Sequence, residues 1–262
     1  VNNTYANLNS KFLKIIDIPL NFTNPFKVSL ELSKKYISES FDLAHKLALN
    51  KKVKGIINCP VDKNLLRFSK KIGVTELLAF KCNIKNNSEV MMIYNKKLSV
   101  VPLTTHIKVK DISKNISTNL IVKKISTLNK SYIKLFRAKP KIGILGLNPH
   151  NGEMKKDAEE RTKILPAILS LKKKNIDIQG PIVADTAFVN VNKKINVIVG
   201  MYHDQVLSPF KTLFKFDAIN VTLGLKYVRV SPDHGPAIDL ILKNKANYTS
   251  LLKCVRFINN LS

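Results

Sequence analysis

Two nearly continuous apolar runs constrain the fold of this 262-residue chain more than any other feature. They are Ile142–Leu147 (IGILGL) and Ile195–Gly200 (INVIVG). Strands covered on both faces, as in parallel sheets, have such runs. Between them, residues Lys155–Lys174 show the apolar spacing of a helix. The alternation of buried strands with helical segments predicts an α/β fold.

Other segments fit the same pattern. The apolar spacing predicts a helix from Pro25 to about Lys52, followed by a buried strand over Val53–Cys59. Residues Val90–Leu103 (VMMIYNKKLSVVPL) are typical of two strands joined by a polar turn. Asp111 is placed to cap a helix that runs to about residue 124.

The chain is strongly basic, with 44 Lys and Arg against 18 Asp and Glu, which gives a net charge of +26. Such a charge attracts nucleic acid and other anions, including phosphorylated substrates. Only five of the basic residues are arginine, however, and the lysines are spread along the chain. Specific base and phosphate recognition depends on arginine forks. We therefore interpret the excess as compositional drift and do not expect a nucleic-acid partner.

Membrane, secreted and disulfide-stabilised classes are not supported. No apolar run approaches the roughly 18 residues that a membrane span needs. Cys59, Cys82 and Cys254 are far apart and form no CxxC pair, which argues against a cysteine zinc site and indicates a reducing compartment. We expect a cytoplasmic protein that does not enter the membrane.

Three histidines each follow a predicted strand: His106, His150 and His203. Ligand crevices form at the carboxyl ends of strands in open α/β sheets, and three imidazoles meeting there could bind one divalent metal. The alternative is that each is a capping or surface residue, since the spacing itself carries no metal signature. His234 stands in a fourth unusual setting, and His45 is interpreted as structural.

Anion-binding candidates are less distinct, because the chain has neither GxGxxG after a strand nor a P-loop. The candidates are Lys63, Lys211, Asn220 and Arg229. Any single lysine is more often a solvated charge. Arg229 is more informative, because arginine is scarce here and this one lies within a strand-like run, which suggests a specific anion partner.

Six motifs, in this order, carry a resemblance to a known family: TTH (104–106), GLNPHNGE (146–153), GPIVADTAF (180–188), MYHDQ (201–205), INVTLGL (219–225) and SPDHGPA (231–237). Together they resemble 4-hydroxythreonine-4-phosphate dehydrogenases of vitamin B6 biosynthesis. The resemblance implies an isocitrate/isopropylmalate dehydrogenase-like fold, with two α/β/α subdomains and a cleft between them. We expect the first subdomain over residues 1–72 plus 236–262, with its N-terminal part missing, and the second, carrying the histidines, over residues 73–235.

The resemblance also implies a reaction. It is the NAD- or NADP-dependent, metal-assisted oxidation of 4-phosphohydroxy-L-threonine, with decarboxylation to 3-amino-2-oxopropyl phosphate. It implies that His106, His150 and His203 bind one divalent ion (Zn, Mg or Co). It further implies a homodimer with the site at the subunit interface.

The family's other functional residues can be matched position by position. Its substrate contacts fall on Thr75, Lys211, Asn220 and Arg229, and the resemblance places two catalytic carboxylates near the metal, Asp185 and Asp204.

Departures from the family pattern keep two alternatives open. The family's Gly-His-Thr-Glu motif reads Gly73-Val74-Thr75-Glu76 here, so Val74 replaces a histidine, and its opening Gly-Asp-Pro-Ala-Gly segment has no counterpart. The first alternative is a paralogue that acts on a related phosphorylated four-carbon hydroxy acid. The second is a truncated, non-catalytic basic binding protein.

Overall fold

A mixed eight-stranded sheet forms the centre of the computed structural model, which describes residues 14–62, 64–66, 73–84, 88–189 and 194–261. The strands are β1 (Gly55–Ile57), β2 (Val90–Tyr94), β3 (Ser99–Thr104), β4 (Ile142–Leu145), β5 (Ile178–Ile182), β6 (Val197–Tyr202), β7 (Ile219–Leu223) and β8 (Val228–Pro232). Their order across the sheet is β1-β8-β7-β2-β3-β6-β4-β5. One predicted anion contact, Lys63, lies outside the described residues.

The pairing confirms the predicted strands. Strands β3, β6, β4 and β5 are parallel neighbours, and β1 is parallel to β8. Strands β2 and β3 form the predicted antiparallel hairpin, while β7 pairs antiparallel with both β2 and β8. The two apolar runs of the sequence, β4 and β6, are buried throughout apart from the last residue of β6, as strands of a covered parallel sheet should be.

Seven α-helices flank the sheet within the described residues: α1 (Leu30–Leu49), α2 (Val74–Lys81), α3 (Ile112–Asn115), α4 (Thr118–Phe136), α5 (Leu165–Lys173), α6 (His203–Phe214) and α7 (Thr249–Asn259). A wide helical turn, Glu160–Ile164, leads directly into α5. The helices predicted over residues 25–52 and 155–174 are therefore confirmed, with later starts.

The prediction that Asp111 caps a long helix is wrong. Asp111 precedes the one-turn helix α3 without a side-chain capping bond, and the chain becomes extended at Ile116. The long helix α4 begins after Ser117, whose hydroxyl accepts a hydrogen bond from the Leu120 N–H at 3.2 Å. Both residue types are good caps, so local sequence did not decide between them.

Replacing Ser117 with alanine should therefore lower the free energy of unfolding by about 1 kcal/mol, the usual cost of losing an N-cap. Urea unfolding followed by circular dichroism would measure this. The matched control is Asp111→Ala, for which we expect a smaller change. Equal effects of the two substitutions would contradict the assignment of the cap to Ser117.

The core lies on both faces of the sheet. Alternate residues of β3 point to opposite faces, so that Val101 packs with α4 and α5 while Val100 packs with α6. Each side chain of this size contributes about 1.5–3 kcal/mol when fully buried. The sheet is thus a layer between helices, which leaves its strand ends available for a site.

Strands β3 and β6 end at the same edge. They are parallel, and Thr104 pairs with Tyr202 at their carboxyl ends. The Thr104 hydroxyl donates to the Met201 carbonyl at 2.7 Å, which ties the two ends together. Strand β1 lies within the first predicted subdomain and the other strands within the second, and that division remains a prediction. Among the described residues, none of the helices has the length and apolar character to cross a membrane.

Candidate active site

A large cleft of about 1740 Å³ is lined by six of the nine predicted site residues. These are Thr75, His106, His203, Lys211, Asn220 and Arg229. The cleft exceeds the roughly 300–1,000 Å³ of an ordinary small-molecule site, so it has room for a small substrate together with a dinucleotide. His150, Asp185 and Asp204 are not among its lining residues.

Two of the predicted metal ligands face each other in this cleft. His106 follows β3 and His203 is the first residue of α6, directly after β6. Their ring centroids are 6.2 Å apart. The parallel pairing of β3 with β6 brings them together, as the strand-end argument predicted.

Asp204 acts on His203 rather than lining the cleft itself. The His203 Nδ1–H donates to the Asp204 carboxylate at 2.8 Å. This bond leaves Nε2 of His203 as the nitrogen that can bind an ion, and a carboxylate partner fixes the orientation of a ligating imidazole. The contact of Asp204 in this structure is with the ring of His203, and the catalytic role that the resemblance implies for it remains a prediction.

The third histidine is not gathered with the other two. His150 is exposed in the loop of residues 146–154 that follows β4, and Asp185 is exposed in the turn after β5. Among the described residues, no three His, Cys, Asp or Glu side chains are close enough to hold a metal ion. One chain therefore brings together two of the three predicted ligands, His106 and His203, and the three-histidine site remains a prediction.

Arg229 is a buried cation in the wall of the cleft, with 3% of its surface exposed. Its Nε donates to Asn58 Oδ1 at 2.7 Å, and its Nη1 donates to Thr222 Oγ1 at 2.9 Å. Burial lowers the pKa of Arg229 to about 10. None of the ion pairs among the described residues includes Arg229. A buried cation held by neutral partners is suited to binding an anion.

Lys211 is held by an acid that the sequence analysis did not single out. Its ammonium donates to the Asp233 carbonyl at 2.7 Å and to the Asp233 carboxylate. It also lies 5.2 Å from the centre of the Phe216 ring. Burial raises the pKa of Asp233, while the bond from Lys211 opposes that shift. The pair places one cation and one anion in the cleft at fixed positions.

Asn220 and Thr75 complete the polar wall. The Asn220 Oδ1 atom is buried and has no hydrogen-bond partner among the described residues. A buried acceptor without a partner is costly, so this atom is suited to a donor group of a ligand. The Thr75 hydroxyl lies 3.4 Å from that of Thr222 and 3.5 Å from Arg229 Nη1.

The sequence analysis missed Asn58, Asp233 and Glu160. Asn58 lies near the end of the strand predicted over Val53–Cys59 and directly after the observed β1, and Asp233 belongs to the SPDHGPA motif, so strand-end position and motif membership could have indicated both. Glu160 is different, because its helical segment gave no functional signal. Its buried carboxylate accepts hydrogen bonds from the loop that carries His150.

Comparison with known proteins decides the family. The model of the family described as pyridoxal phosphate biosynthetic protein PdxA matches residues 2–258. This chain belongs to the PdxA family. Its members include 4-hydroxythreonine-4-phosphate dehydrogenase of Aquifex aeolicus, which is 41% identical over 220 residues, or 82% of this chain and 67% of that protein.

Other members of the PdxA family refine the comparison. The D-threonate 4-phosphate dehydrogenase of Cupriavidus necator is 35% identical over 215 residues, or 80% of this chain and 64% of that protein. The crystal structure of 4-hydroxythreonine-4-phosphate dehydrogenase from Klebsiella pneumoniae superposes with a TM-score of 0.81 at 30% identity. That match covers 93% of this chain and 75% of the other.

Membership of the PdxA family confirms two predictions. The fold is the expected mixed α/β type, similar to isocitrate and isopropylmalate dehydrogenases. The chain is an oxidoreductase of pyridoxal phosphate biosynthesis that acts on a CH–OH group. A dehydrogenase family of this kind implies a nicotinamide cofactor.

Proposed function

We propose that this chain oxidises 4-phosphohydroxy-L-threonine at its 3-hydroxyl, using NAD⁺ or NADP⁺, and that loss of CO₂ then gives 3-amino-2-oxopropyl phosphate. The observation that carries the proposal is the placement of buried Arg229 in the same cleft as the facing pair His106 and His203. In this arrangement Arg229 binds the anionic end of one small phosphorylated substrate, and the two histidines, with a metal, bind its reacting end.

The chain's own residues bind and orient the substrate. Arg229 and Lys211 hold its phosphate and carboxylate ends, with Thr75 beside the guanidinium. Asn220 Oδ1 accepts a hydrogen bond from the substrate's amino or hydroxyl group. Orienting a reactant in this way supplies a large part of the rate enhancement of an enzyme.

A divalent metal is part of the proposal. His106 and His203 would hold it, with His150 contributed by a second copy of the chain, since one chain brings only two of the three imidazoles together. The site would then lie at the interface of a homodimer. When bound, the ion polarises the hydroxyl and stabilises the negative charge that develops during oxidation and decarboxylation. Asp204 keeps the proton on His203 Nδ1, which would leave Nε2 as the nitrogen that binds the ion.

Absorbance of the reduced nicotinamide tests the function. Full-length protein supplied with 4-phosphohydroxy-L-threonine, a divalent metal and either NAD⁺ or NADP⁺ should form NAD(P)H and release CO₂ in equal amounts. NAD(P)H formation without CO₂ release would contradict the decarboxylation step. No turnover with this or a related substrate would favour the non-catalytic binding protein.

A second candidate function rests on Val74. This residue lines the cleft beside Thr75, at the start of α2, where the resemblance expects a histidine. Loss of that imidazole changes the hydrogen bonds available to the substrate. One relative is a D-threonate 4-phosphate dehydrogenase, so a phosphorylated four-carbon hydroxy acid without the amino group is the alternative substrate.

Replacing Val74 with histidine should raise kcat/KM for 4-phosphohydroxy-L-threonine by about 10-fold, the value of one added hydrogen bond to a charged group. Steady-state kinetics on both substrates would measure the change, with Val61→His, another cleft-lining valine, as the control. If D-threonate 4-phosphate is preferred before the substitution and the preference does not change after it, Val74 does not determine specificity.

A further inference from the structure

Glu160 is a buried carboxylate that binds a loop rather than a cation. It is fully buried, and none of the ion pairs among the described residues includes it. Its Oε1 accepts hydrogen bonds from the N–H groups of Leu147 and Asn148, both at 2.7 Å. Its Oε2 accepts from Asn148 Nδ2 at 3.1 Å. A carboxylate removed from water is stable only with such donors.

The loop of residues 146–154 is shaped around this carboxylate. A Cβ atom on Gly146 would overlap Asn151 Oδ1 and lie 3.0 Å from Glu160 Oε1, and one on Gly152 would lie 2.8 Å from the Ala158 Cβ and 3.0 Å from Glu160 Oε2. Gly152 also has a φ of +57°, which favours glycine. The two glycines therefore leave room for the Glu160 side chain together with Asn151 and Ala158.

The same loop carries His150 in a conformation that needs support. Residues 150–154 all have positive φ values, between 50° and 58°. Consecutive left-handed residues are unfavourable and persist only where surrounding contacts hold them. The described contacts that hold the loop include Glu160 and the amide of Gln205, which donates to the Gly146 carbonyl at 2.7 Å. Gln205 lies two residues after His203, so the loop is also tied to the cleft.

We propose that Glu160 is a positioning residue, whose buried carboxylate sets the conformation of the 146–154 loop and thereby the position of His150. The inference rests on the proposed function, in which His150 is the third metal ligand. Glu160 is not among the residues that line the cleft, so its effect is carried by the loop.

Cobalt(II) binding to the full-length protein tests this directly, and it does not depend on turnover. Glu160→Gln keeps the size of the side chain but directs an amide donor at the Asn148 Nδ2 group. We expect Kd for cobalt to rise about 10- to 100-fold, the usual effect of losing an outer contact to a metal ligand. His150→Ala serves as the reference for complete loss of that ligand.

Asp157→Asn is the matched control. It removes the same charge three residues earlier, from an exposed carboxylate with no hydrogen-bond or ion-pair partner among the described residues. Cobalt affinity should remain that of the unmodified protein. If Glu160→Gln does not fold, as judged by thermal unfolding, Gly152→Ala disturbs the same loop with Glu160 intact and should weaken cobalt binding in the same way.

The outcomes separate the two proposals. Unchanged cobalt affinity in folded Glu160→Gln, or in Gly152→Ala if the first variant does not fold, overturns the positioning role and leaves the proposed function standing. A protein that binds no cobalt, or whose cobalt affinity is unaffected by His150→Ala, also overturns it. Weakened cobalt binding in a protein that forms no NAD(P)H supports the role of Glu160 and contradicts the proposed function.

Discussion

Arg229→Lys is expected to lower kcat/KM for the phosphorylated substrate about 100-fold, mainly through a higher KM. The lysine ammonium cannot bond Asn58 and Thr222 while also presenting two parallel donors to an anion. Hydrogen bonds to charged groups are worth about 1.5–3 kcal/mol each, and tenfold in rate corresponds to about 1.4 kcal/mol. Steady-state kinetics with varied substrate concentration would measure the effect.

Arg256→Lys is the control for Arg229. It makes the same substitution on an exposed residue of α7, outside the cleft, and should leave both kinetic constants unchanged. Thermal unfolding of both variants separates a folding defect from a binding defect. If Arg229→Lys is folded and its KM is that of the unmodified protein, Arg229 is a structural residue and the cleft binds its anion elsewhere.

Removal of divalent metal is expected to reduce the rate about 1000-fold, with recovery when Zn²⁺, Co²⁺ or Mg²⁺ is added back. Polarisation of the reacting oxygen by a metal supplies several kcal/mol of transition-state stabilisation. His203→Ala should cause a similar loss that added metal does not restore, because the ion then loses the imidazole oriented by Asp204. Activity after chelation and metal content by mass spectrometry would test both.

His234→Ala is the comparison for His203→Ala. His234 also lines the cleft, but its Nδ1 contacts the carbonyl of the adjacent Gly235 at 2.9 Å, and the resemblance does not make it a ligand. Its removal should leave the metal content unchanged. Full activity after exhaustive chelation would contradict the metal in the proposed function, while the anion site of Arg229 would remain.

Strand prediction succeeded where burial covers both faces of the sheet. Strands β4 and β6 are almost entirely apolar and are buried between layers of helices, and this leaves a clear sequence signal. The convergence of His106 and His203 was predictable for a related reason. Parallel neighbours end at the same edge of a sheet, so that residues after them lie close together.

Other site contacts were invisible in the sequence, because they join residues that are distant in the chain. Arg229 bonds Asn58, which is 171 positions away, and Lys211 bonds Asp233, which is 22 positions away and follows two further strands, β7 and β8. Asn58 and Asp233 are polar residues of common types, and they become site residues only because the fold places their backbone beside Arg229 and Lys211. The helix boundary at Ser117 was missed for a different reason, since Asp111 is an equally good cap type and packing chose between them.

The sequence by itself determined the class of fold, the family motifs and the residue types available for chemistry, because periodicity and short motifs are local properties of a chain. The tertiary structure decided how those residues are grouped. It brought His106 and His203 together and left His150 apart on its loop. It enclosed Arg229 among neutral partners and buried Glu160 against the loop amides. Burial and long-range strand pairing control these arrangements, and both arise only when the whole sheet has formed.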